Sequence, residues 1–156
     1  MIRTATVRDV ERILELLNHY AAEGLLLPRS RNDIYDNLRD FLVFAEGRNG
    51  ICGVSALHVC WQDLGEIRSL AVAPDHLRLG IGKRLVIECE QEARQLGLER
   101  VFTLTYQQEF FTRSGYQVID KNQLPHKIWG DCLNCIKFPD CDEIAMLKNL
   151  SAATQP

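Results

Sequence analysis

The feature that most constrains the fold is a β-α-β pattern between residues 66 and 105. Residues 66–72 have a strand pattern, residues 82–96 carry apolar side chains at helical spacing, and residues 101–105 return to a strand pattern. Such a unit places the N-terminus of the helix at the carboxyl end of the first strand, where α/β folds tend to bind ligands. The pattern therefore predicts an α/β protein with a ligand site at the turn after Val72.

Flanking patterns extend this unit on both sides. They predict a strand over 2–7, a helix over 10–24, a short helix over 34–41, a hairpin of 41–45 and 51–60, a short helix over 110–113, a strand from Tyr116 and a last strand over 143–147. With 156 residues the chain has the size of one domain. We expect a single domain over residues 1–150 and a loose tail over 151–156.

Composition excludes several classes of protein. The chain has 46% hydrophobic and 25% charged residues, which is close to the globular average and unlike a disordered chain or a coiled coil. The formal net charge is -3 with no basic block, so we expect no nucleic-acid partner. No signal peptide and no apolar stretch of membrane length is found, so we expect no membrane partner and a cytoplasmic location.

Two glycines mark the turn between the strand and the helix. The amides of Gly80 and Gly82 can approach a ligand closely at the positive end of the helix dipole, and Arg78 and Lys83 add cationic side chains. The turn is suited to a pyrophosphate, although a glycine pair here is more often plain turn chemistry. A dinucleotide fingerprint needs a third glycine where this chain has Leu85, which disfavours a Rossmann fold.

The same turn carries a family resemblance. The run from Val72-Ala73-Pro74 to Gly80-Ile81-Gly82-Lys83-Arg84-Leu85 resembles the acetyl-CoA motif of GCN5-related N-acetyltransferases (GNAT), and residues 110–116 resemble that family's following motif. The resemblance implies an α/β (α+β) GNAT fold, with a mixed sheet of about six or seven strands, about four flanking helices and a splayed strand pair that binds acetyl-CoA. Residues 27–31, 65–72 and 101–105 further resemble the acetyltransferase domain of N-acetylglutamate synthase in its short, stand-alone form.

The resemblance also implies which residues bind the acetyl-CoA co-substrate. The main chain of the splayed strand would pair with pantetheine and the glycine turn would hold the pyrophosphate. These positions are Leu70, Ala71, Val72, Arg78, Leu79, Gly80, Ile81, Gly82 and Lys83. The chain departs from the family at Leu77, where members usually have Gln or Arg, and at Phe111, where many place a tyrosine acid.

Acetyl transfer to an amine needs a base, because an amino acid's amine is largely protonated at neutral pH. Glu66 is the candidate base, since the synthase resemblance puts the general base there; otherwise it is a solvated residue at a strand edge. Thr105 is a candidate acid for the leaving thiolate, and an ordinary strand-end cap is an equal alternative. Backbone N–H groups of Leu70 or Val72 would stabilise the oxyanion.

A dicarboxylate substrate needs fixed cations, and the planar fork of arginine suits carboxylates. Arg29 and Ser69 match substrate-binding positions of the synthase, and Arg68 lies beside them, although a surface arginine is usually only solvated. Alternation puts Arg68 on the face of Glu66 and Ser69 on the other face, unless the splay or a bulge intervenes.

Three cysteines cluster near the C-terminus. Cys132 and Cys135 have metal-ligand spacing, and Cys141 with His126 would complete a structural zinc site. A redox-sensitive disulfide and packed free thiols are the alternatives, and free thiols are the simplest reading because a second Cys-x-x-Cys pair is absent. We expect His58 to lie in the core or to line the cleft.

Two classes of function follow. The first is an enzyme that acetylates the α-amine of glutamate at the entry to arginine biosynthesis, with glutamine, a polyamine or a drug as alternative acceptors. The second is a non-catalytic sensor of acetyl-CoA or an amino acid. Glu66 and the intact glycine turn favour the enzyme, whose partner is a small amino acid. A homodimer stays open.

Overall fold

A computed structural model describes residues 1–47, 50–125 and 143–150. The strands are β1 (Ile2–Thr4), β2 (Phe41–Ala45), β3 (Ile51–Trp61), β4 (Leu64–Val72), β5 (Arg100–Thr105), β6 (Gln117–Val118) and β7 (Ile144–Asn149). The α-helices are α1 (Val10–Ala22), α2 (Arg31–Asp36), α3 (Ile81–Gln95) and α4 (Gln108–Arg113). The tail predicted over 151–156 lies outside these residues, and the single-domain boundary stays a prediction.

The seven strands form one sheet in the order β1-β2-β3-β4-β5-β7-β6. Only β4 and β5 run parallel among the described pairs, joined by the crossover helix α3, and the other pairs are antiparallel. The predicted mixed sheet and its central β-α-β unit are therefore confirmed. None of the helices in the described part of the chain is long and apolar enough to cross a membrane.

The first strand is shorter than the sequence pattern predicts. It ends at Thr4, because Thr6 and Asp9 form a capping box that opens the 3-10 turn Val7–Asp9 leading into α1. The Asp9 carboxylate accepts from the Thr6 amide at 2.7 Å and pairs with Arg3 at 2.7 Å. The hydrogen bond from Arg3 lowers the pKa of Asp9 despite the opposing effect of burial.

The helices cover both faces of the sheet. Helix α3 packs on the face of β3 that carries Gly53 and Ser55, since the Ser55 Oγ lies 3.2 Å from the Cys89 Sγ of α3. Alternation along β3 turns Ala56 to the opposite face, which it shares with its cross-strand partner Phe41. The guanidinium of Arg29 lies 5.1 Å from the centre of the Phe41 ring, so the segment that leads into α2 covers this second face.

The parallel ladder between β4 and β5 stops halfway along the strands. It runs from the pair Leu64 and Arg100 to the pair Glu66 and Phe102, whereas β4 continues to Val72 and β5 to Thr105. Just beyond the last pair, the two strands are joined by a side chain, since the Thr103 Oγ1 of β5 donates to the carbonyl of Ile67 of β4 at 2.9 Å. The predicted splay is therefore present, and it opens directly after Glu66.

A β-bulge on β4 changes the direction of the side chains beyond Arg68. Val54 pairs with Ala71 and Ala56 pairs with Arg68, so Ser55 of β3 faces two residues of β4, Ser69 and Leu70. Ser69 has a φ of 58°, in the left-handed region that residues with a Cβ rarely adopt. The bulge therefore breaks the simple alternation that would have separated Ser69 from Glu66 and Arg68.

Gly53 sets the distance between the sheet and α3. A Cβ there would lie 2.9 Å from the Ile81 Cγ2 and 3.0 Å from the Leu85 Cδ1. We expect Gly53→Val to lower the free energy of unfolding by about 1–3 kcal/mol, because overpacking pushes α3 away from β3. Urea denaturation measures this. The control is Gly82→Ala, whose Cβ would meet the Phe110 ring at 3.6 Å, an ordinary contact, and equal stabilities of the two variants would contradict the packing argument.

Candidate functional site

The site is built around Glu66, the last residue of β4 that pairs with β5. Its side chain is 13% exposed and its Oε1 lies 3.2 Å from the Nη2 of Arg68. The two side chains share a face of the sheet, as the alternation of the strand predicts. A carboxylate and a guanidinium thus lie side by side where the splay begins.

Arg68 keeps hydrogen-bonding capacity for a further partner. Among the described residues, its Nε and Nη2 are buried and have no hydrogen-bond acceptor, and the Nη2 contact with Glu66 does not have hydrogen-bond geometry. Leaving a buried donor unsatisfied costs about 1–3 kcal/mol, and more for a charged group. A carboxylate that entered the splay would satisfy these donors in the fork geometry that arginine favours.

Arg29 is fixed in place beside the bulge. Its side chain is only 9% exposed, its Nε donates to the Oδ2 of Asp33 at 2.7 Å, and its Nη1 donates to the Oγ of Ser69 at 2.9 Å. Burial alone would raise the pKa of Asp33, but the hydrogen bond and charge of Arg29, together with the charge of Arg68, hold that pKa below its usual value. The three predicted substrate residues, Arg29, Arg68 and Ser69, therefore belong to one cluster next to Glu66, in which Asp33 and Glu66 balance the charges of the two guanidinium groups.

His58, which the sequence placed only in the core or the lining of the cleft, is a polar neighbour of Glu66. It pairs with Glu66 across β3 and β4, so both side chains start from one face. Its Nδ1 lies 2.7 Å from the Oδ2 of Asp40. The strand pattern could place His58 on a face of β3, but the pairing with Glu66 depends on a register that only the structure defines.

Thr105 lies at the end of β5, beyond the splay, and is buried. Its Oγ1 accepts a hydrogen bond from the backbone amide of Gln107 at 2.8 Å. This contact is the one expected if Thr105 is an ordinary strand-end cap. The hydroxyl proton is not used in that contact and can be donated elsewhere. The acid role of Thr105 stays a prediction.

The cofactor turn lies at the other end of β4. Arg78 has a φ of 65° and Gly80 a φ of 80°, so the chain turns twice through the left-handed region before α3 begins at Ile81. The first three amides of a helix have no partner within it, and the Arg84 amide is the first to bond back, to the carbonyl of Gly80 at 3.1 Å. The amides of residues 81–83 therefore form a donor cluster at the positive end of α3, as the pyrophosphate prediction requires.

The end of β4 is also held from the α1 side. The hydroxyl of Tyr20 donates to the carbonyl of Val72, and the amide of Ala73 donates to the carbonyl of Cys52 at 2.8 Å. Tyr20 was not predicted to contribute, because nothing in its own helix indicates the contact. The pairing of Leu70, Ala71 and Val72 with pantetheine stays a prediction, as do the contacts of residues 78–83.

The zinc prediction at Cys132, Cys135, Cys141 and His126 lies outside the described residues.

Comparison with known proteins identifies the family to which the chain is similar. The sequence profile of the acetyltransferase (GNAT) family matches residues 10–116. An uncharacterised N-acetyltransferase of Chlorobaculum tepidum is 42% identical over 149 residues, which span 96% of this chain and 96% of that protein. An amino-acid acetyltransferase of Mycobacterium tuberculosis is 36% identical over 133 residues, covering 84% of this chain and 76% of its own length.

A solved structure shows the same fold. N-acetylglutamate synthase from Neisseria gonorrhoeae, complexed with coenzyme A and N-acetyl-glutamate, matches with a TM-score of 0.88 and 28% identity. The match covers 96% of this chain and 35% of the synthase. With the family profile spanning more than half of its residues, the chain belongs to the GNAT family and is an N-acetyltransferase.

Proposed function

We propose that the protein transfers the acetyl group of acetyl-CoA to the α-amine of L-glutamate, the first step towards arginine biosynthesis. The observation that carries the proposal is the pair of Glu66 and Arg68 at the start of the splay, 3.2 Å apart, with two guanidinium donors of Arg68 lacking acceptors among the described residues. A proton acceptor thus lies next to an anion-binding group. An α-amino acid, which carries an amine beside a carboxylate, has the matching chemistry.

The reaction proceeds by direct attack within the splay. Acetyl-CoA lies along Leu70–Val72 with its pyrophosphate at the amides of residues 81–83. Glu66, directly or through a water, removes a proton from the substrate ammonium, and the freed nitrogen attacks the thioester carbonyl carbon. The N–H of Leu70 or Val72 stabilises the oxyanion. Collapse breaks the C–S bond, and the second proton that the attacking nitrogen loses passes through the Thr105 hydroxyl or a water to the thiolate of CoA.

Substrate identity rests on the cluster of Arg29, Arg68 and Ser69. Two guanidinium groups near the base fit a substrate with two carboxylates, and a polyamine has no carboxylate to offer them. The relatives support this choice, since one is named an amino-acid acetyltransferase and one solved neighbour is N-acetylglutamate synthase bound to N-acetyl-glutamate. Glutamine keeps the α-carboxylate but lacks the second charge, which makes it the sharpest comparison substrate.

The test measures thiol release from acetyl-CoA with each of the twenty amino acids, spermidine and an aminoglycoside, with product masses determined. We expect turnover with glutamate to exceed that with every other acceptor. A preference for glutamine would keep an amino-acid acetyltransferase but reject glutamate. Turnover with spermidine or the aminoglycoside alone would reject the amino-acid substrate, and tight acetyl-CoA binding without any turnover would favour a sensor.

A further inference from the structure

A second cluster of chemically reactive side chains lies at the opposite end of β4 from Glu66. One ligand atom from each of Glu46, Cys52 and His76 lies within 4.8 Å of the other two. Glu46 follows β2, Cys52 lies near the start of β3, and His76 ends the 3-10 turn Pro74–His76 that follows β4. The two arms of the β2-β3 hairpin and the segment after β4 thus converge on one point beside the cofactor turn.

His76 is held by two carboxylates. Its Nε2 lies 2.8 Å from the Oε2 of Glu46, and its Nδ1 lies 2.8 Å from the Oδ1 of Asp75. A histidine that ligates a metal commonly donates its other ring N–H to a carboxylate, which fixes the orientation of the ring. Asp75 already stands in that outer position. A metal ion would replace the proton between the Nε2 of His76 and Glu46.

Cys52 supplies a buried sulfur to the same point. Its side chain is 3% exposed, and its Sγ lies 3.7 Å from the carbonyl of Phe44. The buried sulfur lies within 4.8 Å of a ligand atom of both Glu46 and His76, so a cation held between these atoms could contact all three. A divalent ion would offset the charge of the thiolate and of both carboxylates.

We propose that Glu46, Cys52 and His76 bind a zinc ion, with a water as fourth ligand and Asp75 orienting His76. Thiolate, imidazole and carboxylate are the ligand types that zinc takes in proteins, in tetrahedral geometry. Zn–N and Zn–O bonds of about 2.0 Å separate two such ligands by about 3.3 Å, so the contact between His76 and Glu46 must open slightly. Glu46 can move because it is exposed on the surface.

The ion would take no part in the acetyl transfer, because it lies far from the proposed chemistry. Cys52 and His58 are six residues apart on β3, which corresponds to about 20 Å of strand, and His58 pairs with Glu66. The zinc would instead join the end of the β2-β3 hairpin to the segment that enters the cofactor turn. We therefore expect the zinc-loaded protein to bind CoA more tightly than the metal-free protein.

The test uses Co²⁺ as a spectroscopic substitute for zinc, in the full chain carrying Cys132→Ser, Cys135→Ser and Cys141→Ser. These changes remove the competing C-terminal thiols. We expect one Co²⁺ per chain, a near-ultraviolet thiolate-to-metal absorption band, and displacement of that band by zinc. Adding Cys52→Ser should abolish the band, whereas adding Cys60→Ser, at another buried cysteine, should leave it unchanged.

Two further variants keep the test decisive if Cys52→Ser disturbs folding. Glu46→Gln changes an exposed ligand and should weaken Co²⁺ binding, and Asp75→Asn should weaken it by about 10- to 100-fold, as loss of an outer-shell carboxylate does. Absence of the band in the starting protein, or its persistence in Cys52→Ser, would overturn the site. Unchanged Co²⁺ affinity in both Glu46→Gln and Asp75→Asn would overturn the assigned ligands.

Discussion

Replacing Glu66 with glutamine should lower kcat by about 100- to 10,000-fold, the usual contribution of a positioned general base. Glutamine keeps the size of the side chain and the packing at the start of the splay, but it does not accept the ammonium proton. The cofactor turn lies at the other end of β4, so the Kd for acetyl-CoA should not change. Steady-state kinetics with glutamate and calorimetric titration of acetyl-CoA measure the two quantities separately.

A matched control distinguishes the base from a general effect of removing a charge. Glu88→Gln makes the same chemical change at an exposed position of α3 and should retain full kcat. A Glu66→Gln variant with a normal kcat would exclude Glu66 as the base and direct attention to His58, its cross-strand partner on β3. A loss of acetyl-CoA binding in Glu66→Gln would show instead that the splay itself had been disturbed.

The second large effect is expected at Arg29. Arg29→Lys keeps the positive charge but loses the fork that donates to Asp33 and Ser69 at the same time. A hydrogen bond to a charged group contributes about 1.5–3 kcal/mol, which corresponds to a rise of roughly 10- to 100-fold in the KM for glutamate. The KM for acetyl-CoA should stay constant, and initial rates over a grid of both substrates measure the two values.

The control for this change is Arg31→Lys, two residues along the chain. Arg31 is exposed and pairs with Glu11 at the surface, so its replacement should leave both KM values unchanged. Thermal unfolding of both variants reports any loss of stability, since Arg29 also packs over Phe41. Equal KM values for glutamate in the two variants would show that Arg29 only fixes the segment before α2.

Local patterns in the sequence predicted the parts of the site that depend on local geometry. The helical spacing of α3 and the glycine at position 80 predicted the cofactor turn, and strand alternation placed Arg68 beside Glu66. Alternation could not decide the direction of Ser69. That direction depends on a bulge, which is a property of the pairing between β3 and β4.

Contacts between distant segments were not predictable from one sequence. His58 meets Asp40 and Tyr20 meets Val72 only after helices and strands have packed. Cys52 looked isolated because its neighbours in space, Glu46 and His76, come from other elements. The Cys-x-x-Cys spacing of Cys132 and Cys135 can be read along the chain, whereas a cluster assembled by folding leaves no such spacing.

The interrupted ladder between β4 and β5 links the cofactor to the folding equilibrium. Strands β4 and β5 are neighbours in the interior of the sheet, but beyond Glu66 their backbones are no longer paired. A cofactor whose amides hydrogen-bonded to these unpaired backbone groups would take the place of a strand in the folded protein. Its binding would therefore raise the free energy of unfolding. At a concentration 100 times its Kd, such a ligand adds about 2.7 kcal/mol, a large share of the stability of a small protein. The supply of acetyl-CoA would then raise the stability of the enzyme as well as its rate.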